Sequence, residues 1–311
     1  MNPELFAEAV AEAVRAPSLH NSQPWRFRLA DDGVAVLLDE DRVIRACDPT
    51  GRAARVSCGA AALNLRLALA VRGLPFTVLA AGGPVVARLV PLAPRPPSDR
   101  DVRLHAAIAR RRSHRHRFDD TPVGAAARAE LVAAALDEGG WLDLLDAGEQ
   151  VEAVAQATRE ADLILSQDEA YTAATRAWLR SAESGDGIAP AAAGPAPGPY
   201  ELLARRDFGG RQQPGIPDAA REPLVGVLGA AGGYAHDDVQ AGLVLQRVLL
   251  TATDLGLATA MFSQPVEVPH VRVRIRDLLR RRHDPQMVLR FGYASPLGGT
   301  DRRPVEQVID R

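Results

Sequence analysis

Two stretches of this chain, 59–74 and 242–257, are rich in Ala, Leu and Val, place two glycines fourteen residues apart (Gly59 and Gly73, Gly242 and Gly256) and follow the second glycine with leucine. Such a run reads as a buried helix closed by glycine, which adopts a left-handed helix end without strain. Met twice, the pattern predicts two related halves. A second echo agrees: a helix ending at Arg15 precedes Trp25, and a helix ending at Leu136 precedes Trp141 after a shorter connection. The competing explanation is chance likeness between Ala-rich helices.

The best candidate boundary is Pro91–Asp99, where four prolines within seven residues favour an extended linker. It separates an N-terminal half, 1–95, from a C-terminal half, 99–311. In the first half the spacing predicts a helix over 3–15, a hairpin of Trp25–Leu29 and Val34–Leu38 turning at Asp31-Asp32-Gly33, and a helix over Gly59–Val71. In the second it predicts helices over 101–112, 125–136, 149–165 and 239–255, and strands at Trp141–Leu145, Leu224–Leu228 and Met287–Tyr293. Asp237 and Asp238 are N-cap candidates, and Tyr200–Arg206 is a candidate short helix. Residues 184–219, rich in Gly, Pro and Ala, read as a long loop or lid.

The chain has 311 residues, 47% of them hydrophobic, enough to bury a core. Formal net charge is −2, and all 37 basic residues are arginine. That balance argues against nucleic acid as a partner. Two cysteines, Cys47 and Cys58, are too few for a disulfide framework, and no His/Cys spacing suggests a metal. No apolar run is long enough to span a membrane, and the N-terminus lacks the features of a secretory leader, so a cytoplasmic location is expected.

Chemistry is concentrated in two segments. Arg111, Ser113 and Arg115 alternate at a helix terminus, where guanidinium, hydroxyl and backbone N–H groups can converge on a phosphate dianion; the alternative is a solvated cationic helix end. His114 and His116 between them are expected to face water. Pro17, Ser18, Asn21 and Gln23 form a polar loop ahead of a strand anchored by Trp25, able to serve the polar edge of a planar heterocycle. The alternative there is a turn in which Ser and Asn bond their own backbone.

Together, Pro17-Ser18-x-x-Asn21-x-Gln23-Pro24-Trp25 resembles the FMN-edge motif of nitroreductase-like flavoproteins, and Arg111-x-Ser113-x-Arg115 resembles their phosphate motif. In that family both motifs lie in one domain, phosphate motif first, and the loop acts across a dimer interface. Here the order is inverted. Asp254–Phe262 is similar to the segment approaching flavin N5, although Phe262-Ser263-Gln264 replaces the usual acidic-Gly pair. Phe291-Gly-Tyr293 is followed by Arg302 and Arg303, and the family places a basic residue there on the phosphate. With Asp48-Pro49 and Ser57–Ala61, the chain most resembles the Acg-type subfamily.

The resemblance implies an α+β nitroreductase-like fold: two related α/β halves packed as an intramolecular dimer, a monomer holding one FMN between them. Arg111, Ser113, Arg115 and Arg303, with Arg302 second, are expected on the phosphate. Ser18, Asn21 and Gln23 are expected on the ring or ribityl chain, and Phe262 and Ser263 near N5. No side chain is required as acid or base, since FMN carries the hydride chemistry. The implied activity is an oxidoreductase passing hydride from NAD(P)H to a nitro, quinone or other small-molecule acceptor. A flavin-sequestering protein with its site closed by the 184–219 lid is the second expectation, and a duplicated scaffold without cofactor the third.

Overall fold

The structure is a computed structural model and describes residues 1–310 apart from 146–147, 181–183, 199–200, 211–223 and 232–234. Helix α1 (Pro3–Ala13) starts at Asn2, whose side chain accepts from Leu5 N at 2.8 Å, with Pro3 at the first helical position. Strands β1 (Trp25–Ala30) and β2 (Gly33–Leu38) form the expected hairpin, with Trp25 opposite Leu38. Helix α2 (Arg52–Ala70) is followed by β3 (Phe76–Ala80) and β4 (Val85–Pro91), which complete an antiparallel sheet of order β1-β2-β4-β3. After the proline-rich linker, α3 (Asp99–Arg110) opens on a reciprocal cap: Ser98 Oγ accepts from Asp101 N at 3.2 Å, and the Asp101 carboxylate accepts from Ser98 N at 3.1 Å.

The remainder runs α4 (Ala125–Asp137), β5 (Gly140–Leu145), α5 (Glu149–Gln167), α6 (Glu169–Ala177), α7 (Pro190–Ala193), β6 (Leu224–Ala230), α8 (Ala235–Asp254), β7 (Ala258–Phe262), α9 (Gln264–Glu267), α10 (Pro269–Leu278) and β8 (Met287–Gly292). Its strands form a second antiparallel sheet of order β5-β6-β8-β7. The two sheets have the same order, strand for strand. Helix α1 leads β1 as α4 leads β5, and α2 stands between β2 and β3 as α8 stands between β6 and β7. The second set differs by α5–α7 between its first two strands and α9–α10 between its last two.

Helices α2 and α8 cross at their glycines. A Cβ on Gly59 would lie 2.0 Å from the carbonyl oxygen of Val239, and one on Gly242 would lie 2.0 Å from that of Val56. The contact is reciprocal, because Val56 and Val239 stand in the same relation as Gly59 and Gly242, 183 residues apart in the chain. That is the contact pattern of an approximate two-fold axis. Beside it, Arg55 Nε and Nη2 donate to Asp238 Oδ2 at 3.0 and 2.7 Å. These positions are also 183 apart, so an axis that would set like against like in a homodimer here sets opposite charges together. The helix ends match as well. Gly73 and Gly256 have φ of +76° and +75°, while Leu74 N donates to Leu69 O at 3.1 Å and Leu257 N to Ala252 O at 2.8 Å. This bond closes a Schellman end, which explains the leucine after each glycine.

Some local expectations change. Helix α2 begins well before Gly59 because the Asp48 carboxylate accepts from Ala53 N and Ala54 N at 3.1 and 2.9 Å, satisfying donors that a helix start leaves free. Asp237 and Asp238 lie inside the first turn of α8 rather than capping it. Of the candidate helix at 200–206, Tyr200 lies outside the described residues and 201–206 are irregular. The 91–99 boundary separates the two sheets but not the whole chain. After β8 the C-terminal arm returns to the first sheet, where Phe27 N donates to Val308 O and Asp310 N to Phe27 O, both at 2.8 Å.

Replacing Gly59 by Ala forces a methyl group against a helix carbonyl that cannot rotate away, so a loss of about 3 kcal/mol is expected, the upper range for overpacking. Arg55→Asp should also destabilise, and adding Asp238→Arg should recover much of that loss. Thermal or urea unfolding of the set checks both, and a double variant no better than the single would show that the two positions are uncoupled.

Candidate functional site

Three segments meet between the sheets. Beyond α3 the chain runs alongside β7, where Ser113 forms a parallel bridge to Thr259 and His114 N donates to Thr259 O at 2.8 Å. The 17–24 loop arrives from α1, and the C-terminal arm passes beside both on its way back to β1. They enclose two adjoining cavities. The larger has about 1010 Å³ of empty space, part of it open to solvent, between α2, the tip of β7, the start of the 17–24 loop and residues 205–208. The narrower has about 650 Å³ and is lined by Arg111, Ser113, Arg115 and Arg302. Pro17, Ser18, Ser113, Arg115 and Met261 border both.

The narrow cavity is a concentration of uncompensated positive charge. Arg111 is 5% exposed, yet its Nε and Nη1 have no hydrogen-bond partner. Burial, followed by repulsion from Arg302, Arg112 and Arg115, pulls its pKa down to about 9. It therefore remains a cation at neutral pH, and a buried cation without a partner is costly. Burial and neighbouring arginines lower Arg115 and Arg302 to about 10 each. Arg115 Nη1 donates to Ala192 O at 2.7 Å, and its guanidinium lies 5.1 Å from the Phe208 ring centre. An oxyanion group such as phosphate would answer this charge.

The two C-terminal arginines differ. Arg302 reaches the narrow cavity while anchored through Nε to Val14 O at 2.7 Å. Arg303 does not line it. Its backbone N donates to Gln23 Oε1 at 2.9 Å, and its guanidinium lies 3.6 Å from Asp39 and donates to Gln307 O at 3.0 Å. Arg303, ranked before Arg302 in the sequence, thus lies outside the narrow cavity and beside Asp39, although its Nε has no partner and it lines a neighbouring cavity with Arg111 and Arg302.

The polar loop also departs from expectation. Ser18 borders both cavities, but its Oγ accepts from Gln23 N at 3.0 Å. Asn21 Nδ2 donates to Gly187 O at 3.0 Å and Asp301 O at 3.1 Å. Gln23 lines neither cavity: its Nε2 donates to Gly185 O at 2.8 Å, while Oε1 takes the Arg303 N–H. Asn21 and Gln23 brace the loop against the 184–198 segment and the C-terminal arm, while Ser18 and Asn21 also line the narrow cavity. What they hold is strained backbone, for His20, Asn21 and Gln23 have φ of +50°, +57° and +52°, a region non-glycine residues seldom enter.

The residue this conformation delivers to the larger cavity is His20. It is 4% exposed, its Nε2 has no partner, and its ring meets Phe208 edge-on at 5.7 Å. Burial first, then the charges of Arg206 and Arg115, hold its pKa well below the ordinary histidine value. Sequence reasoning passed over it as a variable position inside the motif; its strained neighbours are visible only in three dimensions. Phe262, the last residue of β7, and Ser263 just after it line the same cavity.

Residues 205–208 were anticipated only as part of a lid, and here they enter the cavity wall. Arg206 donates to Glu267 Oε1 and Oε2 at 3.0 and 2.9 Å and to the Tyr171 hydroxyl, and Tyr171 donates to Glu267 Oε2 at 2.5 Å. Burial opposes charge on both ions, yet their attraction keeps Arg206 above and Glu267 below their ordinary pKa values. The described part of the 184–219 lid, 184–198 and 201–210, thus lies over both cavities through Ala192, Ala193 and Phe208. Its remainder lies outside the described residues. His114, expected in water, is 5% exposed and packs on Phe118 at 4.9 Å. Cys58 is fully buried and its thiol pKa raised, which fits a packing role.

Residues 108–293 match the model of the Nitroreductase family. The chain is 33% identical to the Mycobacterium tuberculosis H37Rv protein Rv3131, provisionally named an NAD(P)H nitroreductase, over 96% of this chain and 89% of that one. It is 30% identical to acg of the same strain, provisionally given the same activity, over 98% and 95%. Among solved structures, a Desulfitobacterium hafniense nitroreductase with bound FMN aligns at 15% identity and a TM-score of 0.44, over 66% of this chain and 96% of that one.

A buried histidine held neutral weakens the fold in acid. The unfolded chain takes up a proton near the ordinary histidine pKa of about 6.5 while folded His20 does not, so stability from this group is present above that pH and falls below it. Between pH 6.5 and 5.5 the decline should be about 1 kcal/mol smaller in His20→Asn, which tolerates a left-handed backbone. Urea unfolding of both proteins at the two pH values reads the difference, and parallel declines would contradict a neutral buried His20.

Proposed function

The chain belongs to the nitroreductase family, and from that premise we propose that it is a flavin oxidoreductase that binds one FMN between two related halves, 1–95 and 99–311. Arg111, Ser113 and Arg302 hold the phosphate in the narrow cavity, with Arg115 between the two cavities. Ser18, Phe262 and Ser263 border the ring in the larger one. Asn21, Gln23 and Arg303 brace the loop. When bound, FMN supplies the hydride chemistry, accepting from NAD(P)H and passing electrons to a nitro, quinone or other small-molecule acceptor.

The observation that carries this reading is Arg111, a buried cation with two unpartnered nitrogens facing a cavity shared with Ser113 and Arg302. The protein's own part is positioning. Guanidinium and hydroxyl groups fix one end of the cofactor, and apolar walls formed by Val56, Ala60, Leu245 and Phe262 exclude water around the other. The matching strand orders and the reciprocal glycine crossing support the intramolecular dimer, and hence a monomer in solution. Among the described residues no helix is long and apolar enough to cross a membrane, and both cysteines are free and buried.

A second reading, a sequestering protein with little turnover, is favoured by one feature: Arg205, Arg206 and Phe208 occupy the cavity wall where a nicotinamide would have to approach. Anaerobic absorbance separates the two. Flavin bands that bleach promptly with NADPH or NADH mean a working oxidoreductase; bands that only dithionite bleaches mean a shielded flavin; no bands after FMN addition would refute both.

Arg111→Met tests the site by two effects of opposite sign. Losing one or more charged hydrogen bonds, each worth about 1.5–3 kcal/mol, should weaken FMN binding by roughly 10- to 150-fold. The FMN-free variant should melt at a higher temperature than the parent, because an unpaired buried charge has been removed. Unchanged FMN affinity, measured by flavin fluorescence titration, would remove Arg111 from the phosphate site.

A further inference from the structure

The larger cavity is lined by positive charge from three segments. Its described lining includes Arg52, Arg115, Arg205 and Arg206 and no aspartate or glutamate. Arg205 and Arg206 are balanced from behind by Glu201 and Glu267, and Arg52 donates to Gln286 Oε1 at 2.7 Å. Two buried nitrogens on this lining still lack a partner, His20 Nε2 and Arg206 Nε. They belong to different segments, the strained 17–24 loop and the 201–210 strap. The remaining wall, including Leu245, Met261 and Phe262, is apolar.

We propose that the electron acceptor is a planar aromatic or quinonoid molecule bearing an anionic oxygen, a carboxylate or phenolate, and that His20 Nε2 and Arg206 Nε bind that group in the larger cavity. This deepens the oxidoreductase reading and rests on it. Two donors on one cavity lining suit an oxygen anion, which can accept from both, whereas an apolar acceptor would leave both buried and unpaired. The backbone strain acquires a purpose, since a relaxed loop would not hold the imidazole in the cavity. The charged and titratable groups that share this lining with His20 are Arg206 and Arg205 of the strap, Arg115 and His114 beyond α3, and Arg52 of α2, of which Arg206 and Arg115 act on it most. An anion seated among them offsets the arginine charges that add to burial in holding His20 neutral, so binding is favoured whether the imidazole donates as the Nε2–H tautomer or in its protonated form.

The test uses the FMN-loaded protein, with benzoate and the nearly isosteric but uncharged benzamide as probes, followed by perturbation of the flavin absorbance. Benzoate should bind at least tenfold more tightly than benzamide. His20→Gly, which removes the ring and eases the left-handed backbone, should lose about tenfold for benzoate and little for benzamide, and millimolar imidazole should restore part of the loss. The double variant Arg206→Gln, Glu267→Gln, in which no buried carboxylate is left unpaired, should lose a similar factor. Benzoate binding no tighter than benzamide, or benzoate affinity unchanged in both variants, would overturn the proposal while leaving the flavin reading intact. Absence of flavin bands in the parent would overturn the oxidoreductase reading and this proposal with it.

Discussion

The two long helices cross in backbone contact at Gly59 and Gly242, and the remaining geometry follows from that contact. With no side chain at either position, each helix backbone rests on a carbonyl of the other, at Val239 and Val56. Such proximity fixes the spacing of the two sheets, because each sheet packs on its own long helix. It also fixes where three otherwise distant segments meet. The 17–24 loop belongs to the first sheet, the 111–115 segment is pinned to β7 of the second, and the C-terminal arm runs from β8 back to β1. A wider crossing would separate the arginines from the loop.

Much of this architecture is legible in the chain. The repeated glycine and leucine spacing encodes both the crossing and the two helix ends, since a backbone contact and a Schellman turn each demand a particular residue at a particular place. Strands with strong local signals, such as Trp25–Ala30 and Met287–Gly292, are readable for the same reason. The short strands Phe76–Ala80 and Ala258–Phe262 carry little signal of their own and exist because a neighbour supplies their hydrogen bonds. The start of α2 depends on a carboxylate at Asp48 that spacing alone does not single out.

The site was legible by residue type and less so by role. Arg111 and Ser113 line one cavity, because their neighbourhood is set locally by the end of α3 and the bridge to β7. Gln23, Asn21 and Arg303 carry the right chemistry, but long-range partners claim it: Gly185, Gly187 and Asp301, and Asp39. A one-dimensional motif cannot tell a side chain that binds a ligand from one that holds the binder in place. His20 and Arg206 illustrate the converse, residues unremarkable in sequence that join a cavity lining only through a strained loop and a strap anchored on Glu267 and Tyr171.

The path of the C-terminal arm has a bearing on biogenesis. Arg111 and Ser113 emerge during synthesis long before Arg302, which lies across the same cavity and is tethered to the carbonyls of Val14, Arg15 and Ala16 at the end of the first helix. A nascent chain that has completed both sheets still lacks one wall of the narrow cavity and the strand partner of Phe27. The narrow arginine-lined cavity is thus completed only after residue 302 has been made and has met the end of the first helix.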